Sequence, residues 1–114
     1  MKNLIILLLS VLVFNTMLPA QEKTRKSETF KVYGNCEMCQ ETIETALKKK
    51  DGVLAKSWDT QTKMLTVSYE PSKITLTEIK QKIADVGYDT DEIKAKAETY
   101  NKLHKCCQYK RSEK

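Results

Sequence analysis

Two cysteines, Cys36 and Cys39, stand three residues apart in the segment Tyr-Gly-Asn-Cys-Glu-Met-Cys. Two thiols at this spacing are typical of a structural disulfide, a redox-active pair or two thiolate ligands of a metal ion. If a helix begins at this point, its dipole and its unpaired backbone N–H groups favour the thiolate form of both side chains. Thiolate is the form that binds soft metal ions such as Cu(I), and also Zn(II). The spacing alone leaves all three arrangements open.

A second group of potential ligands follows near the C-terminus, where His104, Cys106 and Cys107 occur within four residues. Imidazole and thiolates together suit Cu(I) or Zn(II). Adjacent cysteines rarely bond to each other, so the alternative roles are disulfides to Cys36 and Cys39 or to another chain. The tail either folds back to complete a site with three or four ligands, or forms a second and weaker site.

The N-terminus has the features of a secretory signal peptide. Lys2 is followed by an apolar run at 4–14, and Ala20 offers a cleavage point before a polar sequence. The run is shorter than the ~18 apolar residues expected of a membrane span. We therefore predict cleavage after Ala20 and export to the periplasm, with an uncleaved anchor as the alternative.

All four cysteines fall into two tight pairs, one near each end of the predicted mature protein. An exported chain with four cysteines would ordinarily suggest two disulfides that join distant loops. Such a framework usually spreads its cysteines more widely along the sequence. The pairing therefore favours a metal or redox site.

Alternation of apolar and polar residues predicts three strands, at 29–34, 53–59 and 64–70. The alternation is clear in the third strand and weaker in the second. A polar loop at 59–63 connects the second strand to the third, which predicts a β-hairpin. A short last strand is expected at 91–95.

Two segments carry the apolar stripe of a helix, at 38–50 and 76–86. Thr75 and Glu78 match a capping box at the start of the second helix. The resulting order of elements, βαββαβ, predicts an α+β fold of the ferredoxin-like type, with two helices on one face of an antiparallel sheet.

The domain organisation follows from these elements. We predict a signal peptide at 1–20, a flexible leader at 21–28, a single domain at 29–95 and an extension at 96–114. Within the extension, Tyr100, Leu103 and the cysteine pair lie three or four residues apart, which predicts a short C-terminal helix.

Residues 29–95 resemble the heavy-metal-associated domain of copper chaperones, of copper-pump N-terminal domains and of the periplasmic mercury-binding protein. The features that carry the resemblance are the segments 32–39, 51–53, 67–69 and 86–88, together with Asp59. The resemblance implies a solvent-facing site on Cys36 and Cys39 that passes a soft metal to a partner by ligand exchange. It also implies copper(I) as the first candidate, with zinc(II) or mercury(II) as alternatives.

The sequence departs from that family just before the first cysteine. Gly34 and Asn35 occupy the region where the family usually has a methionine packed under the metal loop, whereas Met38 lies between the cysteines. Either the loop packs differently or Met38 supplies the lost apolar contact, and a thioether ligand is the less favoured alternative. The resemblance further implies that Tyr88 shields the site or hydrogen-bonds a thiolate, with core packing as the alternative.

The remaining composition argues against two classes of function, nucleic-acid binding and hydrolytic catalysis. The chain carries 20 Lys and Arg against 15 Asp and Glu, in separated clusters with few aromatic residues, which argues against nucleic-acid binding. One histidine and no nucleophile motif argue against hydrolytic catalysis, so we expect a protein that is not an enzyme. A thiol–disulfide oxidoreductase is the alternative, although the predicted topology is not thioredoxin-like. The resemblance implies a metal transporter or metalloenzyme as recipient, and a monomer or a metal-bridged dimer.

Overall fold

The computed structural model describes residues 24–111, and three antiparallel strands form a sheet within them. The strands are β1 (Lys26–Lys31), β2 (Val53–Trp58) and β3 (Met64–Tyr69), in the order β1-β3-β2. The central strand β3 buries every second side chain and exposes most of the others, as its alternation predicts. The predicted signal peptide lies outside the described residues.

Three helices accompany the sheet: α1 (Glu37–Thr45), α2 (Leu76–Asp85) and α3 (Ala97–Asn101), with 3-10 turns at Lys49–Asp51 and Lys105–Cys107. The capping box predicted for α2 is confirmed. The Thr75 hydroxyl accepts a hydrogen bond from the Glu78 amide, and the Glu78 carboxylate accepts one from the Thr75 amide, each of 3.1 Å. This reciprocal pair explains why α2 begins where it does.

The first strand begins earlier than the sequence predicts. Lys26, Ser27 and Glu28 pair with Tyr69, Ser68 and Val67 of β3, so these three residues do not belong to a flexible leader. Because the side chains of these three residues are exposed, the sequence shows no alternation of apolar and polar residues there. Backbone pairing with β3 alone defines this end of β1.

The first helix is shorter than predicted and ends at Thr45 instead of Lys50. The carbonyl of Leu47 accepts a hydrogen bond from Lys56 Nζ, and that of Lys48 accepts one from the Val53 amide at 3.3 Å. Because groups of β2 satisfy these carbonyls, the chain turns toward the sheet.

The predicted last strand at 91–95 is wrong. Within residues 24–111, a single isolated antiparallel bridge joins Val32 to Thr90 beside β1, so the fourth strand of the βαββαβ pattern is reduced to one pair. The Thr90 hydroxyl accepts hydrogen bonds from the amides of Glu92 and Ile93, at 3.2 and 2.9 Å, which bends the backbone away from the sheet. A local side-chain turn thus replaces the strand ladder.

The core lies between the sheet and the helices α1 and α2. Ile43 of α1 and Ile79 and Ile83 of α2 are fully buried against Leu65 and Val67 of β3 in one apolar cluster. The predicted α+β sandwich is therefore confirmed. No helix within residues 24–111 is long and apolar enough to cross a membrane.

Candidate metal centre

Cys36 and Cys39 lie at the start of α1, as predicted. Cys36 is the N-cap residue, in extended backbone conformation, and Cys39 lies in the first turn. Their Sγ atoms are 3.9 Å apart, and both thiols are free. An ion about 2.3 Å from both sulfurs would give an S–metal–S angle of roughly 115°, within the range of trigonal and tetrahedral thiolate sites. The pair can therefore share one soft ion.

The position of Cys36 favours its thiolate. The backbone amides of Cys39 and Met38 lower the pKa of this thiol and outweigh the opposing effect of desolvation. No side-chain hydrogen bond of standard geometry caps the helix, so the proximity of these N–H groups carries the effect. Cys36 is half-buried and Cys39 is fully buried, so Cys36 is the more accessible sulfur.

Asn35 organises the loop before the helix. Its backbone N–H donates to Cys39 Sγ at 3.4 Å, and its carbonyl accepts from Lys63 Nζ at 3.2 Å. Its side-chain amide donates to the carbonyl of Cys106 at 3.2 Å. One residue thus contacts a sulfur of the first cysteine pair and the backbone of the second.

The tail, defined here as residues 96–111, folds back onto this loop. The Sγ atoms of Cys36, Cys106 and Cys107 all lie within 4.8 Å of one another, and those of Cys106 and Cys107 are 3.9 Å apart. Cys106 is exposed, whereas Cys107 is buried. The tail therefore folds back, as in the first of the two predicted arrangements, and brings both of its thiols close to Cys36, whose sulfur is also 3.9 Å from that of Cys39.

Burial raises the pKa of Cys107 to about 12, with a further contribution from the neighbouring Cys39 thiol. The opposite shifts in Cys36 and Cys107 mean that one thiol of the cluster ionises easily while another keeps its proton in the metal-free protein. Metal binding to Cys107 would therefore release a proton.

Two tail residues hold these cysteines in place. The Tyr109 hydroxyl accepts a hydrogen bond from the Asp89 amide and donates one to the carbonyl of Gly87, both at 2.8 Å. Arg111 binds the carboxylate of Asp89 through Nε at 3.1 Å and Nη2 at 2.7 Å, and also donates to the carbonyl of Ala95. The tail is therefore anchored to the segment that follows α2.

Aromatic contacts add to this anchor. The ring of Tyr109 stacks on Tyr88 at a centroid distance of 5.6 Å and meets the edge of Tyr100 at 5.1 Å. The Tyr100 hydroxyl donates to the carbonyl of Tyr109 at 2.6 Å. Because Tyr109 is only 2% exposed, these contacts bury the tail against the domain.

Tyr88 lies beneath the cluster and is fully buried. Burial raises the pKa of its hydroxyl far above the ordinary value, and the adjacent Cys39 and Cys107 thiols raise it further. In the described part of the chain this hydroxyl has no hydrogen-bond partner of standard geometry. It therefore keeps its proton at neutral pH beside the sulfurs.

His104 is not brought into the cluster with the cysteines of the tail. Its side chain is exposed, and among the described residues the cluster within 4.8 Å contains Cys36, Cys106 and Cys107 without it. The predicted C-terminal helix does not reach the tail cysteines: it ends at Asn101, and His104 precedes a separate 3-10 turn in which its carbonyl accepts a hydrogen bond from the Cys107 amide at 2.7 Å.

The loop before Cys36 packs differently from the usual family pattern, in which a methionine lies beneath this loop. The ring of Trp58 occupies this region, and a Cβ atom on Gly34 would lie 3.0 Å from Trp58 Cη2 and Cζ2. Trp58 Nε1 donates to the carbonyl of Val32 at 3.0 Å. Met38 is 46% exposed and does not supply the lost apolar contact.

Several residues of the site escaped sequence reasoning. Nothing in the sequence indicated that Asn35 joins the two cysteine pairs. No local pattern in the sequence links Asp89 to Arg111, because their pairing depends on the path of the tail. The one local signal that the tail packs against the domain is the occurrence of two tyrosines and an arginine within twelve residues, at Tyr100, Tyr109 and Arg111.

The comparison with protein families agrees with this geometry. A profile of the heavy-metal-associated domain matches residues 29–89, which is more than half of the chain. The chain belongs to this family. The match includes Cys36, Cys39 and Tyr88 but ends before the tail, so Cys106 and Cys107 lie outside the matched residues of this heavy-metal-associated protein.

Individual relatives fit the same family. Copper chaperone CopZ from Staphylococcus saprophyticus is 34% identical over 64 residues, which cover 55% of this chain and 94% of the relative. CopZ from Staphylococcus haemolyticus is 31% identical over 55 residues, with coverages of 48% and 81%. Both relatives are named as copper chaperones.

Solved structures of the same fold are also similar. A CopZ metallochaperone aligns with a TM-score of 0.54 and 32% identity, covering 57% of this chain and 98% of that one. Oxidized MerP from Ralstonia metallidurans CH34 aligns with a TM-score of 0.56 and 25% identity, covering 60% and 96%. Both likenesses fit the ferredoxin-like fold, and this heavy-metal-associated protein adds a tail to it.

Proposed function

We propose that this protein is an exported carrier of soft metal that binds Cu(I) and passes it on without catalysing a reaction. Cys36 and Cys39 are its principal ligands, and Cys106 and Cys107 are auxiliary ligands. The observation that carries the proposal is the 3.9 Å separation of two free thiols at a helix N-terminus, with further thiols of the tail within 4.8 Å of Cys36. The copper-chaperone names of the relatives support copper over mercury or zinc.

Transfer follows from the exposure of the ligands. Cys36 is half-buried and Cys106 is exposed, so a thiolate from a recipient can approach the ion at these two positions. A new metal–sulfur bond forms as an old one breaks, with no change in oxidation state. The recipient is a metal-transporting membrane protein or a metalloenzyme that offers its own thiolates.

Competition for Cu(I) against a chelator tests the function, with the reduced protein and two variants. We expect the double variant Cys36→Ser/Cys39→Ser to lose competition and Cys106→Ser to weaken it about tenfold, an energy of roughly 1.4 kcal/mol. His104→Ala serves as the matched control in the tail and should compete like the wild type. Failure of the wild type to compete would overturn the copper proposal, and titration with Zn(II) and Hg(II) would then identify the metal.

Export is tested separately. The full chain is expressed in a bacterium with two membranes, and the periplasmic fraction is examined by mass spectrometry. We expect a product that begins at Gln21, as cleavage after Ala20 requires. Recovery of the intact chain in the membrane fraction would instead indicate an uncleaved anchor.

A further inference from the structure

A thioether lies against the outermost thiol of the cluster. Met38 Sδ is 3.7 Å from Cys106 Sγ, although the two residues are 68 positions apart in the chain. Met38 is 46% exposed and Cys106 is exposed as well. Two soft sulfur donors therefore face solvent beside the principal Cys36–Cys39 pair.

Packing does not explain the position of Met38. The space beneath the loop is occupied by the ring of Trp58 against Gly34, so Met38 is not needed as a filler there. A methionine that remains 46% exposed leaves much of its apolar surface in water. Its placement beside a thiol therefore suggests another role.

Hydrogen bonds to the backbone carbonyl of Cys106 hold this residue close to Met38. Asn35 Nδ2 donates to the carbonyl of Cys106 at 3.2 Å, and the Cys36 thiol contacts the same carbonyl at 3.8 Å. Neither contact uses the sulfur of Cys106 or of Met38. Both sulfurs are thus held at the surface, where a soft ion can replace the thiol proton that now lies between Cys106 Sγ and Met38 Sδ.

We propose that Cys106 and Met38 form an outer site for Cu(I) or Ag(I), through which the ion enters and leaves the principal site; this rests on the proposed function of Cys36 and Cys39. Soft thioether and thiolate ligands suit monovalent soft ions, whereas Zn(II) takes cysteine, histidine and carboxylate ligands. Because one of its two donors is a neutral thioether, the outer site is selective for the monovalent ion.

The sulfurs supply a route between the two sites. Cys106 Sγ is 3.9 Å from Cys107 Sγ, and both lie within 4.8 Å of Cys36 Sγ. Cys106 releases its proton to solvent when the ion binds. The ion then forms a bond to Cys107 or Cys36 as its bond to Met38 breaks, and the thiol that receives the ion releases its proton to solvent, so charge balances and no electron is transferred.

The test is a titration of the reduced protein with Ag(I), a redox-stable analogue of Cu(I), after labelling the methionine methyl groups with ¹³C for NMR. We expect two binding steps, with the Met38 methyl resonance shifting in the second. Met64, which is 36% exposed on β3, is the internal control and should not shift. Met38→Leu should weaken the second step at least tenfold, whereas Met64→Leu should not change either step.

The outcomes separate the two proposals. A wild type that binds Ag(I) tightly while the Met38 resonance stays unmoved would overturn the outer site and leave the proposed function intact. A wild type that binds no Ag(I) would overturn both. Zn(II) should leave the Met38 resonance in place, and a shift with Zn(II) equal to that with Ag(I) would refute the selectivity for monovalent ions.

Discussion

Arg111 of the tail forms a two-point hydrogen-bonded ion pair with Asp89, whose side chain is completely buried. Arg111 lies four residues after Cys107, and Asp89 follows Tyr88 beneath the cluster. Because the pair joins the tail to the segment after α2, it holds Cys106 and Cys107 near Cys36 and Cys39. The stability of the tail therefore depends on a charge that the folded domain buries.

Arg111→Ala should destabilise the protein by about 2 to 4 kcal/mol, because it leaves the Asp89 carboxylate buried without its partner. Urea denaturation of the metal-free, reduced protein measures this change. Lys82→Ala is the matched control, since Lys82 and Asp51 form a partly exposed ion pair at 3.5 Å that should contribute at most about 1 kcal/mol. Equal effects of the two variants would contradict the anchoring role.

Acid should weaken the same anchor. Burial alone would raise the pKa of Asp89, but hydrogen bonds from Arg111 and the Ala95 amide hold it below its usual range. The folded state thus binds this proton less readily than the unfolded state, so the contribution to stability is complete above about pH 4 and is lost as pH falls through the folded pKa. Unfolding free energies of the wild type and of Asp89→Asn from pH 7 to pH 3 should converge toward acid pH.

The thiols should differ in reactivity. Cys36 has a lowered pKa and is half-buried, whereas burial raises the pKa of Cys107 to about 12. In reduced, metal-free protein we expect iodoacetamide to alkylate Cys36 first, with a midpoint below the usual pH of about 8.5, and Cys107 last. Peptide mapping by mass spectrometry after short exposures gives the order. Equal rates at both positions would show that the helix start and the burial have no effect.

Gly34→Ala should disturb the metal loop. The added Cβ atom would meet the Trp58 ring at 3.0 Å, and this ring is buried in the core. Overpacking of this kind costs about 1 to 3 kcal/mol. Thermal or urea unfolding measures the loss, and the exposed Ser57→Ala in the same strand as Trp58 should change stability by at most about 0.5 kcal/mol.

The variant Tyr88→Phe distinguishes a role of Tyr88 in core packing from a role in metal binding. The buried hydroxyl lacks a hydrogen-bond partner among the described residues, so its removal should leave the metal-free protein as stable as the wild type or slightly more stable. If the hydroxyl donates to a thiolate in the loaded protein, the same variant should bind Cu(I) about tenfold more weakly, a loss of roughly 1.4 kcal/mol. Unchanged affinity would leave Tyr88 as a core residue only.

The sequence predicted those parts of the molecule that depend on local patterns. The alternation of β3, the capping box of α2 and the position of Cys36 and Cys39 at a helix start were all visible, because each involves residues within a few positions of one another. The same local patterns predicted the order of the strands and helices along the chain, and the resemblance to a known family implied the metal-carrying role of Cys36 and Cys39.

The remaining features depend on contacts between distant residues. Lys26–Glu28 form strand only through pairing with β3, and Thr90 replaces the expected fourth strand with a local turn. The return of the tail needs the Asp89–Arg111 pair and the Tyr88–Tyr109 stack, which no periodicity reveals. For the same reason His104 looked like a ligand beside two cysteines, although the backbone places it outside the cluster.

The 70-residue separation between Cys36 and Cys106 has a consequence for the order in which the protein matures. The first cysteine pair lies at the junction of β1 and α1, whereas the full cluster also requires the tail to close on that junction. Contacts of such long range form late, after the loop between them has been ordered. Since Cys106 and Cys107 are synthesised after the rest of the domain, we expect a nascent chain to pass through a stage with two ligands before the tail supplies the remaining sulfurs.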